Sequence, residues 1–190
     1  VTYNQAVDNY LDEKLEADTK PNNKPYKDGA AYTGKEHVWD EAFGYFGAPS
    51  HTLTLTAQNV YDIAKQKDVT VADYNYDGKV DVYKEMAFGH AYYASSFDTG
   101  GKTTYLHDLV GAYMDGRDML VAADGKALTD SQRDQLKAYA QVIKTNWEKV
   151  IAEAVFKYAG STYKDMMKIE AILESGGDVA KEWRNYSKHW

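Results

Sequence analysis

The placement of proline constrains the fold of this chain more than any other feature of its sequence. The 190 residues include three prolines, Pro21, Pro25 and Pro49. Proline interrupts a helix because its ring clashes with the preceding turn and it lacks an amide hydrogen. The three quarters of the chain that follow Pro49 are therefore free to form long helices.

Apolar residues recur at helical spacing along most of the chain, and alternation typical of a strand is confined to TLTLT at 52–56, which we expect to be an extended strap. The sequence therefore predicts an all-α fold. We expect a single domain over residues 1–190, a helical bundle of about seven helices with an EF-hand-like calcium loop. The predicted helical segments are 4–17, 35–46, 57–67, 82–97 (buried on most sides), 103–123, 130–159, 161–174 and 178–188.

Three local signals set the expected ends of these helices. Thr56 is a predicted N-cap, because a threonine hydroxyl accepts a hydrogen bond from the first turn. Thr129 and Gln132 have the spacing of a capping box. Gly176 and Gly177 predict the end of one helix before the next begins.

The charge and composition of the chain limit its partners. The net charge is −7 and the sequence pI is about 5.2, whereas nucleic-acid binding needs a basic face. We therefore expect no nucleic acid as partner. No apolar run approaches the roughly 20 residues of a membrane span, so no transmembrane segment is expected either. Because there is no cysteine, disulfides, thiolate zinc sites and cysteine nucleophiles are excluded.

The two ends of the sequence suggest a trimmed or processed chain. It begins with Val1 rather than methionine and ends with YSKHW, which has no clear terminus signal. No signal peptide is present in it. We expect a processed or trimmed form, which is compatible with a removed signal, and we expect that the full protein continues beyond residue 190.

The segment from Asp73 to Asp81 has the residue pattern of the first nine positions of an EF-hand loop. Calcium binds six to eight oxygen atoms, at roughly 2.3–2.6 Å. Side chains at alternate positions of a tight turn can supply them, and Gly78 permits the sharp reversal. Lys79 would contribute its backbone carbonyl, and Val80 would be a buried anchor beside the loop. The predicted calcium ligands are Asp73, Asn75, Asp77, Lys79, Asp81 and Glu85.

The end of this loop departs from the EF-hand pattern. Lys84 occupies the twelfth position, where a bidentate acid is usual, and Glu85 follows one residue later. Either Glu85 or a more distant carboxylate completes the shell, or water does so at lower affinity. Loops without a paired hand are typical of extracellular modules that bind calcium at about 10⁻⁴–10⁻³ M. The alternative interpretation is an Asx-rich turn that only caps the following helix.

A second metal site is suggested by histidine and carboxylate spacing. His37 and Glu41 are four residues apart, so on a helix they share a face. His90 lies on the predicted buried helix beyond the calcium loop. Imidazole and carboxylate ligands from two or three helices can bind a transition metal such as iron or zinc. The alternative is that these residues are a hydrogen-bonded core histidine and a solvated acidic face.

Several segments together resemble a known family. EHVWDEAFGYFGAP, DYNYDGKVD followed by Glu85, FGHAYYAS and NWEKVIAEAVFKYAG resemble the bacterial envelope family of domain of unknown function 4856, which is similar to the imelysin-like helical proteins. The resemblance covers nearly the whole chain. It implies an all-helical fold, a periplasmic, outer-membrane-anchored or extracellular location, and a link to iron uptake.

Imelysin-like proteins carry a GxHxxE metal motif, and its nearest match here is Gly34, His37 and Asp40 or Glu41, with different spacing. The resemblance therefore implies only His37 as a candidate ligand. The peptidase activity once attached to that group is not carried over, because the sequence supplies no convincing hydrolytic constellation.

Three functions remain open from the sequence. The first is a calcium-binding, non-catalytic envelope protein, associated with iron uptake, that binds a metal ion and an envelope or cell-surface protein partner. The second is a structural or adhesive, self-assembling surface module whose tyrosine-rich face makes the contact. The third is an imelysin-like metallohydrolase in which His37, Glu41 and His90 hold zinc and a water molecule.

Overall fold

The computed structural model describes residues 1–17 and 19–186, apart from the side chains of residues 184 and 185. This part of the chain contains seven α-helices and no β-strand, which confirms the predicted all-α fold. Its one β-bridge pairs Pro25 with Thr33. The helices are α1 (Thr2–Asn4), α2 (Gly34–Phe46), α3 (Ala57–Ala64), α4 (Gly89–Asp98), α5 (Tyr105–Ala122), α6 (Asp130–Glu174) and α7 (Val179–Tyr186).

Side-chain caps begin three of these helices. Thr33 caps α2 in a capping box with Glu36. At α3 the Thr56 hydroxyl accepts from the Asn59 amide at 3.1 Å, which confirms the predicted N-cap. Thr129 and Gln132 form the predicted box at α6, where the Gln132 amide donates to the Thr129 hydroxyl at 3.2 Å. These contacts satisfy amide groups that have no partner inside the helix.

The N-terminal segment changes its winding twice. After α1 it continues as a π-helix over Gln5–Tyr10, then closes with a 3₁₀ turn over Glu13–Leu15. The wider turn is seen in the Leu11 amide, which donates to the Ala6 carbonyl five residues earlier at 2.9 Å. The segment 4–17, predicted as one helix, therefore contains three short helical elements of different winding, and the last of them ends at Leu15 rather than at residue 17.

The structure differs from the sequence prediction in three further places. The helix expected over 82–97 begins only at Gly89, and Val82 and Tyr83 are exposed rather than buried. The segments 130–159 and 161–174 form one helix, α6, because an exposed glycine costs a long helix only about 1 kcal/mol. The 52–56 strap is instead a 3₁₀ turn over Thr52–Thr54.

The chain forms two compact units, the first of which spans Val1–Val150. Its core contains an aromatic cluster, in which Trp39 packs edge-on against Tyr113 and the Trp39 indole nitrogen donates to the Tyr113 carbonyl at 2.8 Å. Phe46 packs edge-on against Trp147. These contacts fix α2 against α5 and against the first part of α6, and all four side chains are buried.

A lysine is buried in the same unit. Lys35 is 2% exposed, and its amine donates to three backbone carbonyls, those of Lys14, Glu16 and Thr19, at 2.7, 2.9 and 2.7 Å. Burial lowers the pKa of Lys35 to about 8, while carbonyl acceptors favour the charged amine. Lys35 therefore fastens the N-terminal segment to the first turn of α2.

The second unit spans Ile151–Trp190 and contains the later part of α6 together with α7. Gly176, at φ +69°, lies in the turn between the two helices, as predicted. The Lys168 amine lies 3.3 Å from the buried Asp165 carboxylate and 5.0 Å from the centre of the Tyr186 ring. The last two residues of the predicted helix 178–188 lie outside the described residues.

Candidate functional site

The loop predicted to bind calcium lies between a 3₁₀ turn (Thr70–Ala72) and α4. The Asp73 carboxylate closes this loop on itself. One of its oxygens accepts from the Asp77 amide at 3.2 Å, and the other accepts from the Gly78 amide at 2.9 Å. The first residue of the motif is thus folded over the fifth and the sixth.

The next two oxygen-bearing side chains also turn onto the loop backbone. Asn75 Oδ1 accepts from the Asp77 amide at 2.9 Å, and Asp77 Oδ1 accepts from the Lys79 amide at 2.9 Å. Two residues have left-handed backbones, Tyr76 at φ +58° and Gly78 at φ +79°. The side chains of Asp73, Asn75 and Asp77 therefore lie along one short, tightly wound stretch of chain.

Glu85 spans the two ends of the loop. Its Oε1 accepts from the Tyr74 amide at 3.1 Å and its Oε2 accepts from the Asp81 amide at 2.8 Å. The side chain is well covered, because Glu85 is 5% exposed. Glu85 therefore connects positions 2 and 9 of the motif through these two hydrogen bonds, and we call this connection the Glu85 latch.

Asp81 begins the turn that leaves the loop. Its carboxylate accepts from the Tyr83 amide at 2.8 Å and lies 3.6 Å from the Lys84 amine. The sequence predicted that a helix starts here, as in an EF-hand. Instead the backbone makes a single turn in which the Glu85 amide donates to the Asp81 carbonyl. Val80, expected to be a buried anchor, is half-buried.

The atoms of the loop that could bind a metal ion are all oxygen atoms. The side chains of Asp73, Asn75, Asp77 and Asp81 and the carbonyl of Lys79 all belong to this segment. A carboxylate oxygen has two lone pairs, so it can accept an amide hydrogen bond and bind a cation together. Throughout residues 1–17 and 19–186, however, no three acidic, histidine or cysteine side chains are arranged to hold a metal ion.

One neighbour of the loop was not found from the sequence. His51 stacks on Tyr74 with ring centres 4.7 Å apart and is 6% exposed. Its Nε2 atom is buried and has no hydrogen-bond partner. Burial lowers the pKa of His51, and the Glu85 carboxylate acts in the opposite direction. No spacing rule connects His51 to this loop, because tertiary packing alone brings them together.

The structure brings together two of the three residues predicted for a second metal site. His37 Nε2 lies 3.2 Å from Glu41 Oε2 along α2. The His37 ring stacks on Tyr26, with ring centres 3.6 Å apart. The neighbouring carboxylates of Glu36 and Asp40 both bind Arg117, at 2.9 and 2.8 Å.

His90 makes other contacts. Its Nε2 lies 3.2 Å from the Thr2 hydroxyl, and its ring packs edge-on against Trp147. Burial, and to a smaller extent the charge of the chain N-terminus, lowers the pKa of His90. His90 is therefore not grouped with His37 and Glu41 as a set of three ligands.

Comparisons with known proteins add a family assignment. None of the helices in the described part of the chain is both long and apolar enough to cross a membrane. Neither a curated protein nor a solved structure matches the chain. A family model does match, over residues 1–175 and therefore over most of the sequence. The chain belongs to the family described as a domain of unknown function, DUF4856.

Proposed function

We propose that this protein is a calcium-binding, non-catalytic helical module of the bacterial envelope or exterior. The observation that carries the proposal is the arrangement of Asp73, Asn75 and Asp77. Their side-chain oxygens lie along one tightly wound turn, with the residue types and the alternate spacing that calcium loops require.

The proposed ligand set follows from this arrangement. Asp73, Asn75 and Asp77 would bind through side-chain oxygens, Lys79 through its carbonyl, and Asp81 directly or through water. Both Glu85 oxygens accept backbone hydrogen bonds, so its main contribution would be to hold the loop closed. Water molecules would complete the six to eight oxygens that calcium prefers.

The location follows from the expected affinity. A single loop that depends on water ligands is typical of extracellular modules with dissociation constants of about 10⁻⁴–10⁻³ M. Such a loop fills where calcium is abundant, which favours a periplasmic, outer-membrane-anchored or extracellular site. A role in iron uptake and an envelope protein partner remain part of the proposal on the strength of the resemblance alone.

A structural or adhesive module is the second candidate, and the exposure of three tyrosines favours it. Tyr76 and Tyr83 are 89% and 97% exposed, and Tyr74 is also exposed. All three lie in or next to the proposed calcium loop, and tyrosine is enriched at protein interfaces. Self-association in calcium that is lost in EDTA, and lost in Tyr76→Ser, would favour this candidate.

Thermal unfolding in EDTA and in millimolar calcium tests the calcium proposal. Binding stabilises a protein by RT ln(1 + [L]/Kd), about 1–3 kcal/mol for a modest excess of ligand. We expect calcium to raise the melting temperature by several degrees in the natural sequence. The rise should vanish in Asp77→Ala and persist in Asp118→Ala, which removes the same charge from the exposed face of α5. An unchanged melting temperature in the natural sequence would contradict the proposal.

The same experiment addresses the second metal. Iron or zinc added to the calcium-loaded protein should raise the melting temperature further if His37 and Glu41 bind a transition metal. His37→Ala should remove that second rise. A metallohydrolase would in addition have to cleave a substrate in a way that chelation stops.

A further inference from the structure

A cleft lies beside the proposed calcium loop. Its volume is about 350 Å³, within the range of small-molecule pockets, roughly 300–1,000 Å³. One wall is the end of α2 and the residues that follow it, including Phe43, Gly44 and Pro49. The other wall is the segment between the loop and α4, which supplies Tyr83, Lys84, Met86 and Phe88.

The two walls are tied to each other. The Phe88 amide donates to the Gly47 carbonyl at 2.8 Å. Gly47 ends α2 at φ +86°, and a Cβ atom there would lie 2.7 Å from the Phe88 carbonyl oxygen. Phe43 packs edge-on against the buried Tyr113, with ring centres 5.3 Å apart. These contacts fix the two walls relative to each other without a ligand, which lowers the ordering cost of binding.

The chemistry of the lining selects a class of ligand. Aromatic and thioether side chains of Phe43, Met86 and Phe88 supply an apolar surface. Among the lining residues, all of which are described, Lys84 carries the one formal charge. Its side chain is 82% exposed. An apolar cleft with a single cation at its edge is complementary to a molecule with an apolar body and one negative group.

Asp81 connects the cleft to the calcium loop. Its carboxylate accepts from the Tyr83 amide and lies 3.6 Å from the Lys84 amine. Asp81 is also a proposed calcium ligand. A calcium ion at the loop would attract the Asp81 carboxylate and neutralise its charge, so the Lys84 amine would become available to another anion.

We propose that this cleft binds a small amphipathic carboxylate, and that calcium strengthens the binding by drawing Asp81 away from Lys84. The dependence on calcium, which we call the calcium half of the proposal, rests on the proposed function. The binding of the carboxylate in the cleft, the ligand half, does not. The apolar body of the ligand lies among Phe43, Met86 and Phe88, and its carboxylate pairs with Lys84. Because Lys84 is exposed, the expected effect of its charge is about twofold to fivefold in affinity.

Amide NMR spectra of the full chain test this proposal with N-acetyl-tryptophan as the probe and N-acetyl-tryptophan amide as its neutral control. We expect the acid to shift the amide resonances of Gly44 and Gly47, and to bind several-fold more tightly than the neutral control. Lys84→Gln should make the two probes bind equally. Shifts that spare both glycines, or equal binding of the two probes to the natural sequence, would overturn the ligand half.

The same samples test the calcium half of the proposal. We expect the acid to bind more tightly in calcium than in EDTA, and Asp81→Asn to bind it in EDTA as tightly as the calcium-loaded natural sequence does. Calorimetry measures calcium binding itself. If calcium binds and the probe affinity does not change, the coupling is wrong and the proposed function stands. If calcium does not bind, both the proposed function and the coupling fall, and the ligand half is decided by the acid and its neutral control.

Discussion

The indole of Trp39 occupies the space that a side chain at Gly116 would need. A Cβ atom built at Gly116 would overlap the six-membered ring of Trp39. The absence of a side chain at Gly116 thus allows the indole to approach the backbone of α5 closely and to donate to the Tyr113 carbonyl. Close packing of this kind leaves no room for an added methyl group.

Gly116→Ala should destabilise the protein by about 1–3 kcal/mol, because overpacking forces the indole or α5 to move. Gly111 is the matched control, since it lies in the same helix and nothing would lie within 4 Å of its Cβ atom. There, alanine should be neutral or stabilise by about 0.5–1 kcal/mol, because glycine is a poor helix former. Urea unfolding of both variants measures the difference, and equal effects would show that Trp39 adapts.

Lys35→Met should destabilise the protein by about 3 kcal/mol or more. Methionine nearly matches the length of lysine but donates no hydrogen bond, so three backbone carbonyls would lose their partner. Lys137→Met removes an exposed amine that pairs with Glu16 at 2.8 Å and should leave the urea midpoint nearly unchanged. A Lys35→Met variant as stable as Lys137→Met would contradict the assigned role of Lys35.

Substitutions of Glu85 and Asp77 should reduce the stability of the protein under different conditions. Glu85→Ala leaves the Tyr74 and Asp81 amides without their acceptor, so we expect a loss of about 1–3 kcal/mol even in EDTA. Asp77→Asn keeps an oxygen that can accept from Lys79, so its loss should appear mainly in calcium. Melting temperatures of both variants in EDTA and in calcium distinguish the role of Glu85, which holds the loop closed, from that of Asp77 as a calcium ligand. The same pattern of loss in both variants would contradict this distinction.

Acid should weaken the fold partly through His51. Its folded-state pKa is lowered by burial from 6.5, so below about pH 6.5 the unfolded chain binds more protons than the folded one. Stability therefore falls as the pH decreases through this window. In His51→Phe an aromatic ring remains but no group titrates. The slope of the unfolding free energy against pH, measured in EDTA, should therefore be shallower, by at most about 1.4 kcal/mol per pH unit. An unchanged slope would exclude His51 as a contributor.

Local signals predicted much of the helical architecture. Thr56 and Thr129 cap helices because their hydroxyls reach amides three residues away, and a contact at that range can be read directly from the sequence. The start of α4 could not be read in this way. Phe88 is held extended by a hydrogen bond to Gly47, a tertiary contact that overrides the helical spacing of residues 82–88.

In the candidate site too, local features could be predicted from the sequence and tertiary contacts could not. The oxygen-bearing residues of the loop were found because a loop of this kind fixes their spacing. The latch formed by Glu85 and the stacking of His51 on Tyr74 depend on how distant segments pack. The sequence named Glu85 as a ligand from its position alone, and its hydrogen bonds to two loop amides could be seen only in three dimensions.

The wide turn at Gln5–Tyr10 has a consequence for how family members should be aligned. A π-helical turn accommodates one more residue than an α-helical turn of the same rise. A relative with one residue fewer before Leu11 could wind this segment as a regular α-helix and still present its apolar side chains to the same neighbours. An alignment that forbids a gap there would place the residues on one side of the turn one position out of register, which is about 100° around the axis of a helix. It would pair buried residues of this segment with exposed ones.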